Sequence, residues 1–321
     1  MTMDPGTLKP EDYVEPRCLL CEEPYGKASA VRAVPQQRIV EKMDEYLSRK
    51  DYKGAERHLF YWLEEARLGG DLRGQLTIRN ELVGHYRKQG QKEKAYESIQ
   101  EALRLLAALE MEGTISEGTT CTNVATAYYR FGDYEKCLPY FEKARSVYEA
   151  HDRTDPALLG GLYNNHALAC VAVKDYSRAY ELYQKAMDVM ETVPMGTLEQ
   201  AITCLNLANA LEADQGMEAA EPEIYHLLDQ AEALLESARP EQPEVDSGQC
   251  AGRQSPQEAA SSGNAAEQLS PQEAAEAGYY AFVCESCAPT FSYYGYFMTA
   301  EELKRRAKEI YDRNGTVEGL L

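Results

Sequence analysis

The feature that most constrains the fold of this chain is a pattern that recurs every 40 to 42 residues. Its four copies are anchored at Tyr52, Lys92, Tyr134 and Tyr176, which are spaced by 40, 42 and 42 residues. Three sets of residues follow the anchors by three, seven and ten positions: Ala55, Ala95, Cys137, Ala179; Leu59, Ile99, Phe141, Tyr183; and Trp62, Ala102, Ala144, Ala186. One set precedes the anchors by six: Tyr46, Tyr86, Tyr128, Cys170. Periods of this length are typical of arrays of supersecondary units that bury their apolar faces against their neighbours.

Each copy reads as two helices joined by a short turn. Apolar residues recur at steps of three and four, the spacing of one face of an α-helix. The predicted turns lie at 48–51, 88–91, 131–133 and 173–175. A fifth copy has a longer predicted turn, because Gly216 and Pro222 interrupt it. A sixth is indicated by residues at the same offsets: Ala288, Phe291, Gly295, Phe297, Ala300 and Ala307.

Composition divides the chain into five segments. They are a Pro/Gly-rich arm at 1–34, five hairpins at 35–238, a low-complexity insertion at 239–276, a sixth hairpin and cap at 277–315, and a tail at 316–321. The insertion holds no aromatic residue and twice repeats Ser-Pro-Gln-Glu-Ala-Ala. Such a segment cannot bury enough apolar surface to offset the entropy of ordering it, so we expect it to be disordered.

Charge and hydropathy restrict the classes of partner. The formal net charge is −20, whereas nucleic-acid binding requires a basic surface. No segment approaches the roughly 20 apolar residues of a membrane-spanning helix, and the amino terminus lacks the pattern of a secretory signal. The nine cysteines are odd in number and scattered, unlike a disulfide framework. We therefore expect a reduced, cytoplasmic protein that binds neither nucleic acid nor membranes. The acidic surface fits basic protein segments as partners, and the alternative is that it serves only for solvation.

The third and fourth copies resemble tetratricopeptide repeats (TPRs). The resemblance rests on residues 123–144, Asn-Val-Ala-Thr-Ala-Tyr-Tyr-Arg-Phe-Gly-Asp-Tyr-Glu-Lys-Cys-Leu-Pro-Tyr-Phe-Glu-Lys-Ala, and on the corresponding residues 165–186. Small, aromatic and turn positions agree across about 200 residues of the chain. The long period resembles the 42-residue class of kinesin light chains, and the two cysteine-bearing ends resemble those of bacterial TPR proteins. The resemblance implies an all-α, right-handed superhelical solenoid of about six helical hairpins that acts as a non-enzymatic interaction module.

The candidate binding residues are asparagines on the first helices of the hairpins. Asn123, Asn165 and Asn206 occupy the same place in three consecutive units, with Asn164 and Asn209 beside them. Asparagine is a mediocre helix former, and its amide both donates and accepts hydrogen bonds. In kinesin-light-chain-like repeats this position faces the concave groove and holds peptide main chain, so the resemblance implies peptide binding here. The alternative is a structural ladder that pairs with neighbouring helices.

Two Cys-x-x-Cys motifs raise the alternative of a metal site. Four thiolates from Cys18, Cys21, Cys284 and Cys287 would suit tetrahedral zinc, but about 260 residues separate the two pairs. The second pair also falls on packing positions of the repeat, so we favour a buried structural role for it. No alternating strand–helix pattern surrounds either motif, which disfavours a thioredoxin-like redox role.

No motif indicates catalysis. The five histidines are scattered, and neither a phosphate-binding glycine loop nor a nucleophile elbow is present. The densest aromatic cluster fits core packing or a partner-binding patch: Tyr279, Tyr280, Phe291, Tyr293, Tyr294, Tyr296 and Phe297. We therefore predict a protein without enzymatic activity or cofactor that binds a peptide or protein segment in its concave groove. The alternatives are a bacterial sensor of signalling peptides, a zinc- or redox-dependent structural unit, and a groove occupied by the chain's own arm.

Overall fold

The computed structural model of the chain describes residues 31–240 and 270–313. These two ranges contain twelve α-helices and no strand. The helices are α1 (Gln36–Ser48), α2 (Tyr52–Leu68), α3 (Leu72–Lys88), α4 (Lys92–Ala108), α5 (Ile115–Arg130), α6 (Tyr134–Ala150), α7 (Pro156–Ala172), α8 (Tyr176–Met190), α9 (Gly196–Gln215), α10 (Met217–Ser237), α11 (Pro271–Tyr293) and α12 (Phe297–Arg313). None of the described helices is long and apolar enough to cross a membrane.

Consecutive helices pack as six hairpins, α1 with α2 through α11 with α12. The predicted all-α fold, a right-handed superhelical array of about six hairpins, is confirmed. The repeated residues form its core: the sets three, seven and ten positions after the anchors are at most 2% exposed. Burying these side chains between neighbouring hairpins is what ties each unit to the next.

Short turns precede the second helices, and aspartate side chains cap two of these helices, α2 and α8. The Asp51 carboxylate accepts a hydrogen bond from the Gly54 N–H at 2.8 Å, and Asp175 accepts one from the Arg178 N–H at 3.4 Å. These bonds satisfy amide donors that the first turn of a helix leaves free. The residue before the cap is left-handed, as at Lys50 with φ of 55°. This geometry reverses the chain within three residues and lays the two helices of a hairpin side by side.

The first helices of the hairpins form the inner, concave face of the array. Along the array, α1, α3, α5, α7, α9 and α11 contact one another in succession, and extensive contacts between successive second helices are absent from the described ranges. In a curved stack the inner elements approach and the outer ones diverge. We call the space enclosed by the first helices the lumen. The last of these helices, α11, also contacts the first, α1, so the array closes on itself within one superhelical turn.

The turn of the fifth hairpin is shorter than the sequence indicated. Gly216 alone separates α9 from α10, and its φ of 82° suits glycine. Pro222 lies inside α10 rather than in the turn, just as Pro139 lies inside α6. Both prolines are exposed, so water can satisfy the carbonyl that each leaves without an amide partner.

Helix α11 begins before residue 277, where order was expected to resume. Ser270 caps it with a capping box: its hydroxyl accepts from the Glu273 N–H at 3.2 Å, and the Glu273 carboxylate accepts from the Ser270 N–H at 2.8 Å. The second Ser-Pro-Gln-Glu-Ala-Ala copy is therefore a helix start, with Pro271 at the first helical position. The predictions for the arm before residue 31, for 241–269 and for the tail lie outside the described residues.

Candidate functional site

One side-chain position repeats along the inner wall of the lumen. It is held by Glu81 on α3, Asn123 on α5, Asn165 on α7 and Asn206 on α9; we call these four the lumen row. Asn123 is partly exposed, and its amide has no hydrogen-bond partner among the residues of 31–240 and 270–313. Its donor and acceptor are both available to a ligand.

Bonds within and between helices engage the other asparagines. Asn165 donates to the Gly161 carbonyl of its own helix at 2.8 Å, and its amide oxygen accepts no bond from a described residue. Asn206 donates to the Asn164 amide oxygen at 3.1 Å, which joins α9 to α7. The Asn209 amide oxygen accepts a hydrogen bond at 3.1 Å from the hydroxyl of Tyr294, the residue that follows α11. Asn164 and Asn206 thus link two neighbouring first helices, and Asn209 links α9 to the turn after α11, whereas Asn123 and Asn165 retain free bonding capacity.

Two glycines leave open space beside the lumen row. A Cβ atom added at Gly84 of α3 or at Gly161 of α7 would meet no atom within 4 Å apart from its chain neighbours and the backbone of its own helix. Gly84 is three residues after Glu81, and Gly161 is four before Asn165, so both glycines share the face of the row. The lumen therefore has room for a chain to approach the amides closely.

Charged groups of both signs lie near the amino-terminal end of the lumen. Burial raises the pKa of Glu81 to about 7, and the nearby Asp44 carboxylate contributes to this shift, while Lys88 opposes it. Burial lowers the pKa of Lys88, and the neighbouring Arg87 lowers it further. Burial and then Arg130 lower the pKa of Arg87. None of these five groups forms an ion pair within 4 Å in the described parts of the chain, so all can respond to a bound charge.

A pocket of about 380 Å³ lies where the two ends of the array meet. We call it the junction pocket. The first hairpin contributes Asp44, Leu47 and Tyr52 to its wall, and the last contributes Glu276, Tyr279, Phe282 and Tyr311. Lys88 and Met195 also line it. Its wall is mainly apolar and aromatic, which is usual for a ligand-binding cavity.

Direct contacts between the first and last hairpins hold this junction together. The Lys50 ammonium lies 3.0 Å from both carboxylate oxygens of Glu285 and 4.0 Å from the centre of the Tyr311 ring. The Lys88 ammonium lies 5.4 Å from the centre of the Phe282 ring. Two lysines of the first and second hairpins thus rest on aromatic rings of the last one.

The carboxy-terminal aromatic cluster divides between core and surface. Tyr280, Phe291 and Tyr294 are buried in the last hairpin. Tyr293 and Phe297 are 68% and 65% exposed, which leaves aromatic surface for a partner. The hydroxyl of Tyr279 donates to Glu199 of α9 while its ring lines the junction pocket.

The buried histidine nearest the lumen row serves packing. His166 is fully buried and stacks on Phe141 with a centroid distance of 5.3 Å. Burial, together with the Arg145 charge, lowers its pKa to about 4, so the ring is neutral at pH 7. Its Nε2 atom lies 3.3 Å from Glu142, without hydrogen-bond geometry. A neutral ring sealed from the lumen has no access to a substrate.

Cys284 and Cys287 lie in the core of the last hairpin. Both thiols are buried, and burial raises their pKa values to about 11 and about 12. A raised pKa opposes formation of the thiolate that metal binding and redox chemistry need. No three metal-ligating side chains converge within the described ranges. Cys18 and Cys21 lie outside those ranges, so the alternative of a site shared by all four cysteines is untested.

The sequence did not indicate the junction pocket. Asp44 and Tyr52 belong to the first hairpin, and Phe282 follows about 230 residues later in the last one. Their proximity depends on how strongly the whole array curves. One signal was available: Glu81 stands at the repeat position of Asn123, and Lys88 at that of Arg130. Aligning every position of the first helices would have placed these charges in the lumen.

Comparisons with known proteins agree with this architecture. Residues 74–150 match the family model described as Tetratricopeptide repeat. The comparison with curated proteins gave no match. Among solved structures, BtubC (BKLC) from P. vanneervenii shares 18% sequence identity with this chain and has a TM-score of 0.52, over 68% of this chain and 88% of BtubC. That likeness supports the fold.

Two further solved structures are less similar. A putative kinesin light chain from Podosopora anserina, with nearly identical TPR-like repeats, shares 16% identity at a TM-score of 0.44, over 74% of this chain and 94% of that one. A Rap protein complexed with competence and sporulation factor shares 15% identity at 0.41, over 87% of this chain and 73% of that one.

Proposed function

We propose that this chain, which is a tetratricopeptide-repeat protein, is a non-enzymatic interaction module whose lumen binds an extended peptide or protein segment. The observation that carries the proposal is a row of amide side chains with unused hydrogen-bonding capacity beside open space. Asn123 has no partner in the described ranges, the Asn165 oxygen is free, and Gly84 and Gly161 leave room at the same face.

The amides suit main-chain recognition because an extended peptide presents alternating N–H and C=O groups. An asparagine side chain can donate to one and accept from the other. In this proposal Asn123 and Asn165 hold the peptide backbone. The links from Asn206 to Asn164 and from Asn209 to Tyr294, just after α11, fix the inner helices in place, which lowers the entropy lost on binding.

We propose that the partner is basic, as the charge of the chain indicates. The net charge of −20 attracts cationic segments over long distances at low salt. Near the junction, the Asp44 carboxylate and the Glu81 carboxyl group, whose pKa is about 7, form no ion pair with a described residue and have Lys88 as the neighbouring cation. Arg87 and Arg130 add positive charge toward α5. A basic segment is therefore expected to bind toward the junction of the first and last hairpins.

The test begins with peptides selected by display from a random library against the full chain. Their affinity is then measured by fluorescence anisotropy for wild type, for Asn123→Ala/Asn165→Ala, and for a control with two exposed amides of outer helices removed, Gln100→Ala/Gln230→Ala. Each lost hydrogen bond is worth about 1 kcal/mol, so the lumen variant is expected to bind about tenfold or more weakly. Equal affinity of all three proteins would contradict the proposal.

A further inference from the structure

The junction pocket exists only while the array is closed, since its two halves belong to opposite ends of the chain. Asp44 and Tyr52 come from the first hairpin, and Tyr279, Phe282 and Tyr311 from the last. The pocket also adjoins the lumen row, because Lys88 lines it and is two helical turns from Glu81 on the same face of α3. A segment lying along the row can thus place one side chain in the pocket.

The aromatic rings of this pocket already accept ammonium groups. Lys50 lies 4.0 Å from the centre of the Tyr311 ring, and Lys88 lies 5.4 Å from the centre of the Phe282 ring. The Tyr279 and Phe282 rings stack with an interplanar angle of 23° and a centroid distance of 6.4 Å. The faces of aromatic rings are electron-rich and attract cations, most strongly where water is partly excluded.

The charges around the pocket are predominantly negative. Asp44 and Glu276 line it, with Lys88 as the one lining residue of opposite charge among those described. The Asp44 carboxylate has no ion pair or hydrogen bond within the described ranges. Glu285 lies at the same junction but is neutralised by Lys50. An apolar stem with a positive end fits such a pocket better than a hydrocarbon or an anion.

We propose that the junction pocket binds the side chain of a lysine or arginine residue of the peptide in the lumen, with its stem against the aromatic rings and its charged end beside Asp44. This inference rests on the proposed function for the identity of the occupant. Lys88 holds the place of the cation in the unbound protein and moves aside when the ligand side chain enters.

The position of Lys88 gives a test that separates a cation site from an anion site. The change Lys88→Met keeps an apolar stem of similar length and removes the competing ammonium. A pocket for cations then binds its ligand more tightly. If the true ligand were an anion attracted by Lys88, the same change would abolish binding.

The experiment uses small probes and short peptides on the full chain. The probes are benzylamine and benzoate, which share a ring and carry opposite charges, and binding is detected by saturation-transfer NMR. The peptides are fluorescein-labelled Gly-Ser sequences with one central arginine, norleucine or glutamate, measured by anisotropy. The variants are Phe282→Ala and Asp44→Asn. Their matched controls are Phe60→Ala, an equally exposed ring of an outer helix, and Asp152→Asn, an exposed carboxylate remote from the pocket.

The inference predicts that benzylamine binds and benzoate does not, and that the arginine peptide binds about fivefold or more tightly than the norleucine peptide. Phe282→Ala and Asp44→Asn remove this preference, both controls keep it, and Lys88→Met increases it. Benzylamine still binds the Asn123→Ala/Asn165→Ala variant, because the pocket does not use the amides.

Four results would overturn the inference. Binding of benzoate in place of benzylamine, or loss of binding in Lys88→Met, would make this an anion site. If all three peptides bind equally and their binding requires Asn123, the pocket does not select a basic side chain, while the lumen proposal is retained. If benzylamine binds but none of the three peptides does, the occupant is a free organic cation, and this result would also count against the lumen proposal.

Discussion

Glu81 is the residue of the lumen row whose chemistry differs from that of its neighbours. Where the next hairpins carry neutral amides, it carries a carboxyl group whose pKa burial and Asp44 raise to about 7, above the ordinary 4.5. Between these pH values the folded state holds more protons at this site than the unfolded state. The free energy of unfolding therefore falls as pH rises from about 4.5 to 7, and the loss is complete above that range.

The change Glu81→Gln is accordingly expected to stabilise the protein at pH 8, by on the order of 1 kcal/mol for a partly screened site. At pH 4, where the wild-type group is protonated, the difference should vanish. Chemical denaturation at both pH values measures it. Glu97→Gln, which changes an exposed carboxylate on the outer helix α4, is the matched control. A stability difference for Glu81→Gln that is equal at both pH values would contradict this account.

Glycines of the first helices separate into two kinds. Gly84 faces open space, whereas a Cβ at Gly74 would lie 2.4 Å from the Asp71 carboxylate and 2.6 Å from the Val34 side chain. We expect Gly84→Ala to stabilise the protein by about 0.5–1 kcal/mol through helix propensity, and Gly74→Ala to destabilise it. Thermal melting of both variants tests the pair. Destabilisation by Gly84→Ala would show that other atoms occupy the space beside Gly84, which would contradict an open lumen face at this position.

At the scale of helices, the sequence predicted pairing well and boundaries less well. Periodicity identified six hairpins because the buried positions repeat, and burial decides which face each helix presents. Gly216 alone forms the turn of the fifth hairpin, whereas Pro222 was wrongly placed in that turn. An exposed proline near the start of a helix is tolerated because only one backbone hydrogen bond is lost and water replaces it. The start of α11 was missed because its alanine-rich first turns looked like the insertion, although Ser270 caps them.

The position of Cys284 and Cys287 on the buried face of α11 leads to a prediction about reactivity. Burial and pKa values raised to about 11 and about 12 leave little thiolate at pH 8. In the folded, reduced chain we expect both to be alkylated by iodoacetamide far more slowly than in denaturant, as measured residue by residue with mass spectrometry. Rapid labelling of the native protein would contradict the buried structural role, and protection that is lost with a zinc chelator would instead support a metal site.

At the scale of the whole molecule, closure of the array is the property that local sequence could not predict. It results from the small rotation between hairpins accumulated over six units, which brings residues about 235 positions apart into contact. The asparagines of the row could be identified from the repeat alone, since they occupy the same position in successive repeats. The junction pocket could not, because its residues occupy different repeat positions in distant hairpins.

The Lys50–Glu285 ion pair offers a direct test of closure. Lys50→Glu and Glu285→Lys should each loosen the junction by placing like charges together, and the double variant should restore it. For a partly exposed pair we expect a coupling energy of about 0.2–1 kcal/mol, measured as a double-mutant cycle in denaturation. Small-angle X-ray scattering should show a larger radius of gyration for the single variants than for wild type or the double variant. If the changes in unfolding free energy of the two variants are simply additive, Lys50 and Glu285 do not interact, and the two ends of the array are apart in solution.

The central claim is that a polypeptide binds inside the lumen, and photo-crosslinking from Gly84 tests it most directly. A benzoylphenylalanine at this position projects into open lumen, and one at Gln100 of α4 projects from the outer surface. After irradiation in lysate of the native cell, mass spectrometry identifies the adducts. We predict protein or peptide adducts at position 84 that Asn123→Ala/Asn165→Ala abolishes and that position 100 lacks. The same adducts from both positions, or adducts from position 100 alone, would place the binding surface outside the lumen.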